Sequence, residues 1–167
     1  TAAAKPAATA AAASPPKRRM GKVEQKLEGL SRDQLRDFIK APKTAMEART
    51  ALKSISHDSK LVAEWVETVP PKQFWKLFKS AGSLEMDHLC AIVKALSAHC
   101  VSAGAARTVK VLRYLAKSSR FALNIAMVDD DTTEALESMF KRLETEADKG
   151  VEGVDAVEVE AIKDRYL

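Results

Sequence analysis

Three histidines (His57, His88, His99), two cysteines (Cys90, Cys100) and the run Asp129-Asp130-Asp131 are the side chains of this 167-residue chain that most invite a metal or acid/base reading. Their spacing gives them no common site. His99 and Cys100 are neighbours, so on a helix they point about 100° apart, poor geometry for one ion. His88 and His99 are three turns apart. No imidazole lies in an HExxH pattern or beside a Gly-flanked Ser, and a hydrolase needs nucleophile, base and orienting group to meet. The aspartates have no matching second acidic cluster. A carboxylate run just ahead of a helix suits the positive end of its dipole, so capping and solvation are the expected roles. No pair of the six glycines forms a GxGxxG or P-loop turn. Catalytic, cofactor-binding and metal-binding residues are all expected to be absent, and the chain is not expected to be an enzyme.

Side chains suited to protein contact are easier to find. Trp65, Phe74, Trp75 and Phe78 fall at helical spacing; Trp65 and Phe78 are expected in the core, and Trp75 fits surface or core equally. In the segment Arg120-Phe-Ala-Leu-Asn-Ile-Ala-Met127, a helix would put Phe121, Ile125 and Val128 on one face and Arg120, Leu123, Asn124 and Met127 on another. The first face explains docking onto a bundle. The second mixes a long cation with Leu and Met, the composition of an interface centre. A helix buried on both sides would show the same pattern, and spacing alone does not separate the two.

The elements that carry these residues read as helices. Thr44-x-x-Glu47 is a capping box that should start a helix running to about Lys53. Ser56 to Asp58 can cap the next, with Leu61, Val62, Trp65, Val66 and Val69 leading to Pro70. Pro71 suits the first turn of a short helix ending before Gly82. Ser83 should cap a long, central helix whose Met86, Leu89, Val93, Leu96 and Cys100 form a buried stripe. Gly104 should break it, and Thr108, Val111, Leu112 and Leu115 line the helix that follows. Ser118 or Ser119 should cap 120–127, and Asp131 with Glu134 the helix bearing Leu136, Met139, Phe140 and Leu143. Asp155 should start a last one with Val159, Ile162 and Tyr166. No strand pattern or fixed-period repeat is present. The expected fold is all-α: a compact multi-helix bundle over 44–167, preceded by a charged accessory helical segment over 23–43 and a disordered Ala/Pro-rich linker over 1–22.

Composition agrees, with 30% charged and 5% aromatic residues. No run of about 18 apolar residues is seen, so no membrane span is expected. Cys90 and Cys100 lie about 15 Å apart on one helix, too far to bridge, which makes a reducing, cytoplasmic setting the default. The Ala-rich opening lacks acids until Glu24 but also lacks early Arg, unlike a transit peptide, and starting at Thr it reads as a piece of a longer protein. Residues 1–56 carry 12 basic and 5 acidic side chains, 57–128 carry 10 and 5, and 129–167 carry 5 and 13. A basic front and an acidic back suggest partner surfaces of opposite sign. Lys17-Arg18-Arg19 could touch nucleic acid, but no recognition helix rich in Arg, Asn or Gln accompanies it.

The stretches PKQFWKLFKSAGSLEMDHLCAIVKAL (71–96), RFALNIAM (120–127) and AIKDRYL (161–167) resemble the C-terminal, Monad-binding domain family of RNA polymerase II-associated protein 3. That family also includes sperm-associated antigen 1 and a coiled-coil protein of dynein-arm assembly. The resemblance covers about 45–167. It implies an all-α co-chaperone scaffold domain that docks on a RuvB-like AAA+ ATPase and supports heat-shock protein 90-linked assembly of complexes such as axonemal dynein arms. The wider chaperone assembly would be reached through upstream regions. On this resemblance Arg120, Leu123 and Met127 would face the ATPase. AHCVSAGAARTVKVLRYLAKSSRFALN (98–124) is also close to the dynein-arm protein, which implies instead an oligomerising assembly factor associated with cilia. The chain departs from the family pattern in its Ala-rich linker, its extra basic segment and the acidic residues at 129–131.

Overall fold

The structure, a computed structural model, describes residues 31–167, which form one compact unit. The linker expected over 1–22, the Lys17-Arg18-Arg19 cluster and the first part of the 23–43 segment lie outside the described residues. Ser31 and Gln34 exchange side-chain and backbone hydrogen bonds (2.9 and 3.4 Å). This reciprocal cap opens a helical turn, Arg32–Leu35, that tightens into a 3-10 turn, Arg36–Phe38, with Leu35 buried.

Eight helices follow, and no strand occurs among the described residues. They are α1 (Ala45–Ile55), α2 (Ser59–Thr68), α3 (Pro71–Phe78), α4 (Met86–Ala95), α5 (Val101–Leu115), α6 (Phe121–Ile125), α7 (Asp130–Asp148) and α8 (Ala156–Tyr166). The all-α bundle is thus the observed fold.

Four of the eight helix starts, those of α1, α2, α7 and α8, lie where a side chain satisfies free N–H groups. Thr44 Oγ1 accepts from Glu47 N–H at 3.2 Å, while the Glu47 carboxylate takes Lys43 N–H at 2.8 Å. Helix α1 runs two residues past Lys53. Asp58 accepts from Lys60 and Leu61, and Asp155 from Val157 and Glu158. The starts of α4 and α7 differ from expectation. The Ser83 hydroxyl donates to the Ser80 carbonyl in the tight turn at Gly82 (φ 75°), so Glu85 holds the cap position of α4 without a side-chain bond. At α7 the cap is Asp129, not Asp131. Its carboxylate accepts from Thr132 N–H at 2.7 Å and meets Lys94 Nζ at 3.0 Å, and that lysine distinguishes it from its two neighbours.

Helices α4 and α5 are one continuous helical run through a π turn, Leu96–Cys100, in which Val101 N–H reaches back to the Leu96 carbonyl. Arg142 of α7 donates to the Ser97 carbonyl and hydroxyl, and Ser97 Oγ in turn donates to the Ala135 carbonyl. The wide turn is thereby tied to α7. Gly104 does not end the helix; its backbone (φ −172°, ψ 77°) only kinks it. By length and composition Met86–Leu115 could cross a membrane, which counting uninterrupted apolar residues misses. It is nonetheless the central element, with half of its most apolar window buried among its neighbours. Helices α2 and α7 flank α4, α3 lies on α5, and α8 packs against α7 and α5.

The core follows the expected stripes. Trp65, Phe74, Phe78, Leu89, Val93, Leu96, Leu112, Leu136, Phe140 and Ile162 are all buried. Trp65 meets Phe74 edge-on at 5.9 Å. Tyr166 packs on Phe121 at 4.8 Å and Phe140 at 5.7 Å, and its hydroxyl donates to the Leu112 carbonyl at 2.8 Å. The terminal helix therefore locks α5, α6 and α7 together.

Candidate partner-binding face

The loop between α5 and α6 is fixed at both ends. Ser118 N–H donates to the Leu115 carbonyl at 2.9 Å, and Ser119 N–H crosses to the Phe78 carbonyl of α3 at 3.1 Å. Neither serine caps α6: the helix starts at Phe121 with no side-chain cap bond. Arg120 occupies the cap position in the left-handed region, φ 59° and ψ 17°, and is the one non-glycine residue with positive φ among the described residues. Such backbone costs free energy and persists only where the surroundings impose it. Here the constraint is the Ser119 bond on one side and buried Phe121 on the other.

Helix α6 is short. Asn124 N–H bonds the Arg120 carbonyl at 2.9 Å, and by Met127 the chain has tightened to a three-residue turn, Met127 N–H to the Asn124 carbonyl at 3.1 Å. Arg120 and Met127 therefore lie just outside its two ends, not on a continuous helical stripe. Phe121 is buried as expected, with Ile125 and Val128 half-buried behind it. Asn124 turns inward, Nδ2 donating to the Leu84 carbonyl at 2.8 Å, and so positions the helix.

Leu123 and Met127 remain, four residues apart, 55% and 60% exposed. Contiguous exposed apolar side chains are a mark of contact surfaces. Arg120 is exposed beside them, with no ion pair among the described residues. A depression of about 460 Å³ next to them is lined by Ala116, Ser118, Arg120, Phe121, Ala122 and Arg165. Arg165 is already engaged, donating to the Ala116 carbonyl at 2.7 Å.

The groups that could have done chemistry are dispersed. His57 is exposed, His99 Nε2 lies 3.0 Å from Ser59 Oγ, and burial holds His88 below its ordinary 6.5. Burial pushes the Cys100 thiol up to about 11, which makes it a poor nucleophile, and both cysteines are free. Among the described residues no three His, Cys, Asp or Glu side chains converge on a possible ion.

The spacing of residues in sequence gave no sign of two long-range arginine contacts. One is Arg142 at the π turn. The other is Arg107, whose guanidinium donates to the Val66, Glu67 and Val69 carbonyls at 2.9, 2.8 and 2.6 Å, closing the C-terminal end of α2.

The profile of a family described as the potential Monad-binding region of RPAP3 matches residues 41–133. Among solved structures, the NMR structure of the C-terminal domain of the human RPAP3 protein superposes with a TM-score of 0.64 at 19% identity, over 75% of this chain and 87% of that one. At that identity the likeness speaks for the fold. No curated protein sequence matches.

Proposed function

We propose a docking role for this chain, which belongs to the family described as the potential Monad-binding region of RPAP3. That description makes it a protein-interaction domain. The finer reading is a non-enzymatic co-chaperone scaffold of the cytoplasm. It docks on a RuvB-like AAA+ ATPase through Arg120, Leu123 and Met127, with Asn124 positioning them. In this way it supports heat-shock protein 90-linked assembly of complexes, axonemal dynein arms among them.

The observation that carries this reading is the exposure of Leu123 and Met127 beside Arg120, which has no ion pair among the described residues and is held in left-handed backbone. Arginine and large apolar groups that lose water together dominate interface energies, at about 2 kcal/mol or more each at hot spots. A docked partner would bury what the bundle leaves open.

The test is to mix the purified chain with a RuvB-like ATPase ring, with Monad, and with short duplex DNA, and to follow its size. Migration with the ring supports the reading. Migration with Monad alone would keep the interaction role but move the partner. A salt-sensitive shift with DNA would point to nucleic acid, and self-association alone to the oligomerising ciliary factor.

A further inference from the structure

Helix α3 carries a second cluster of exposed side chains, made of residues other than those of the α6 face. Its sequence PKQFWKLF, with Lys79 at the C-cap, contains no acid. Phe74, Leu77 and Phe78 face the core. Lys72, Trp75, Lys76 and Lys79 fall at i, i+3, i+4 and i+7, within about 100° of arc and about 10 Å of axis. All four are exposed, Trp75 at 38%. Lys79 Nζ lies 5.8 Å from the centre of the Trp75 ring. None of the three lysines has an ion pair among the described residues, although several other basic residues do. Three cations thus surround one half-open indole.

We propose that this face binds an acidic polypeptide segment, carboxylates against Lys72, Lys76 and Lys79 and an apolar side chain over Trp75. Charge complementarity selects the sign, and the magnitudes select the class. Lipid-binding polybasic patches typically use about 4–8 Lys or Arg, and duplex DNA binders typically neutralise about 6–10 phosphates. Three lysines on one short helix fall below both. The patch also lacks the planar Arg forks that suit phosphate. A run of side-chain carboxylates around one apolar residue needs no more than the three charges and one ring present.

The test uses the full chain and a synthetic peptide in which glutamates alternate with leucines. Of the two tryptophans Trp65 is fully buried, so a change in emission reports Trp75. The peptide should shift that emission saturably, with affinity falling as salt rises. Lys72→Glu/Lys76→Glu/Lys79→Glu should weaken binding by about tenfold or more, with helix content unchanged because all three side chains are in solvent. Lys110→Glu, exposed on α5, should bind the peptide as the parent does. Unchanged emission would overturn the proposal, as would equal affinity in the triple variant. So would tighter binding to short duplex DNA or to mixed phosphatidylcholine–phosphatidylserine vesicles, or self-association that the triple variant abolishes. Binding to the RuvB-like ring should be the same in parent and triple variant, so failure here is distinct from failure of the docking role.

Discussion

Arg120 combines backbone strain with a guanidinium that has no ion pair among the described residues, and the two can be separated. Left-handed backbone costs a residue with a Cβ about 1–2 kcal/mol, while glycine adds about 0.5–1 kcal/mol of chain entropy. Arg120→Gly should therefore melt within about 1 kcal/mol of the parent, by thermal unfolding, yet lose affinity for the ATPase. A stability loss of several kcal/mol would assign the arginine a structural role. Arg107 is the opposite case, a cation whose Nη2 meets three carbonyls. Lysine keeps the charge but not the shape of the guanidinium that brings Nη2 to these carbonyls, so Arg107→Lys should cost about 1–3 kcal/mol in urea unfolding. Its partners lie about forty positions away, and no local pattern announces them. Arg120 was readable from its neighbours, but its backbone was not: a left-handed arginine follows from the Ser119–Phe78 bond, a tertiary contact.

At the level of elements, the sequence is most legible where apolar periodicity is long. The stripes through Leu96 and Phe140 are buried as read, and Leu96→Ala should lower stability by about 2–5 kcal/mol in denaturant unfolding. Unchanged unfolding would mean that the π turn collapses around the gap. Short elements are less legible, because one tertiary bond outweighs a cap preference. Helix α6 begins without a serine cap, α4 without Ser83, and α7 at Asp129. That last difference has a pH consequence. Thr132, whose N–H donates to the carboxylate, and then Lys94 hold the Asp129 carboxyl below 3.8, at about 2. A carboxyl with a depressed folded-state value adds stability above its ordinary value and loses it on protonation. Melting temperature should then fall between about pH 4 and about pH 2. Asp129→Asn, which still caps but cannot pair with Lys94, should flatten that slope. An identical slope in both proteins would mean that other carboxyls set it.

For the whole molecule, the uneven charge visible in the sequence has a partial counterpart in the fold. Its basic middle supplies the α3 lysines and Arg120, while its acidic end forms α7 and α8. The bundle was legible because helix-period stripes span most of 44–167. The continuous α4–α5 run was not, because Gly104 reads as a break unless the π turn and Arg142 are known to hold the axis. The α6 face lies between these cases: composition suggested a contact surface, and the fold exposes Leu123 and Met127 while turning Asn124 inward. The most direct test of the docking role is the affinity of a RuvB-like ATPase ring for four purified chains, measured by calorimetry. These are the parent, Leu123→Ala/Met127→Ala, Arg120→Glu, and the triple lysine variant of α3. The account predicts that both α6 variants lose about tenfold or more, since about 1.4 kcal/mol is a factor of ten. They should keep the parent's helix content, and the α3 variant should bind as the parent does. Parental affinity in the two folded α6 variants would contradict it.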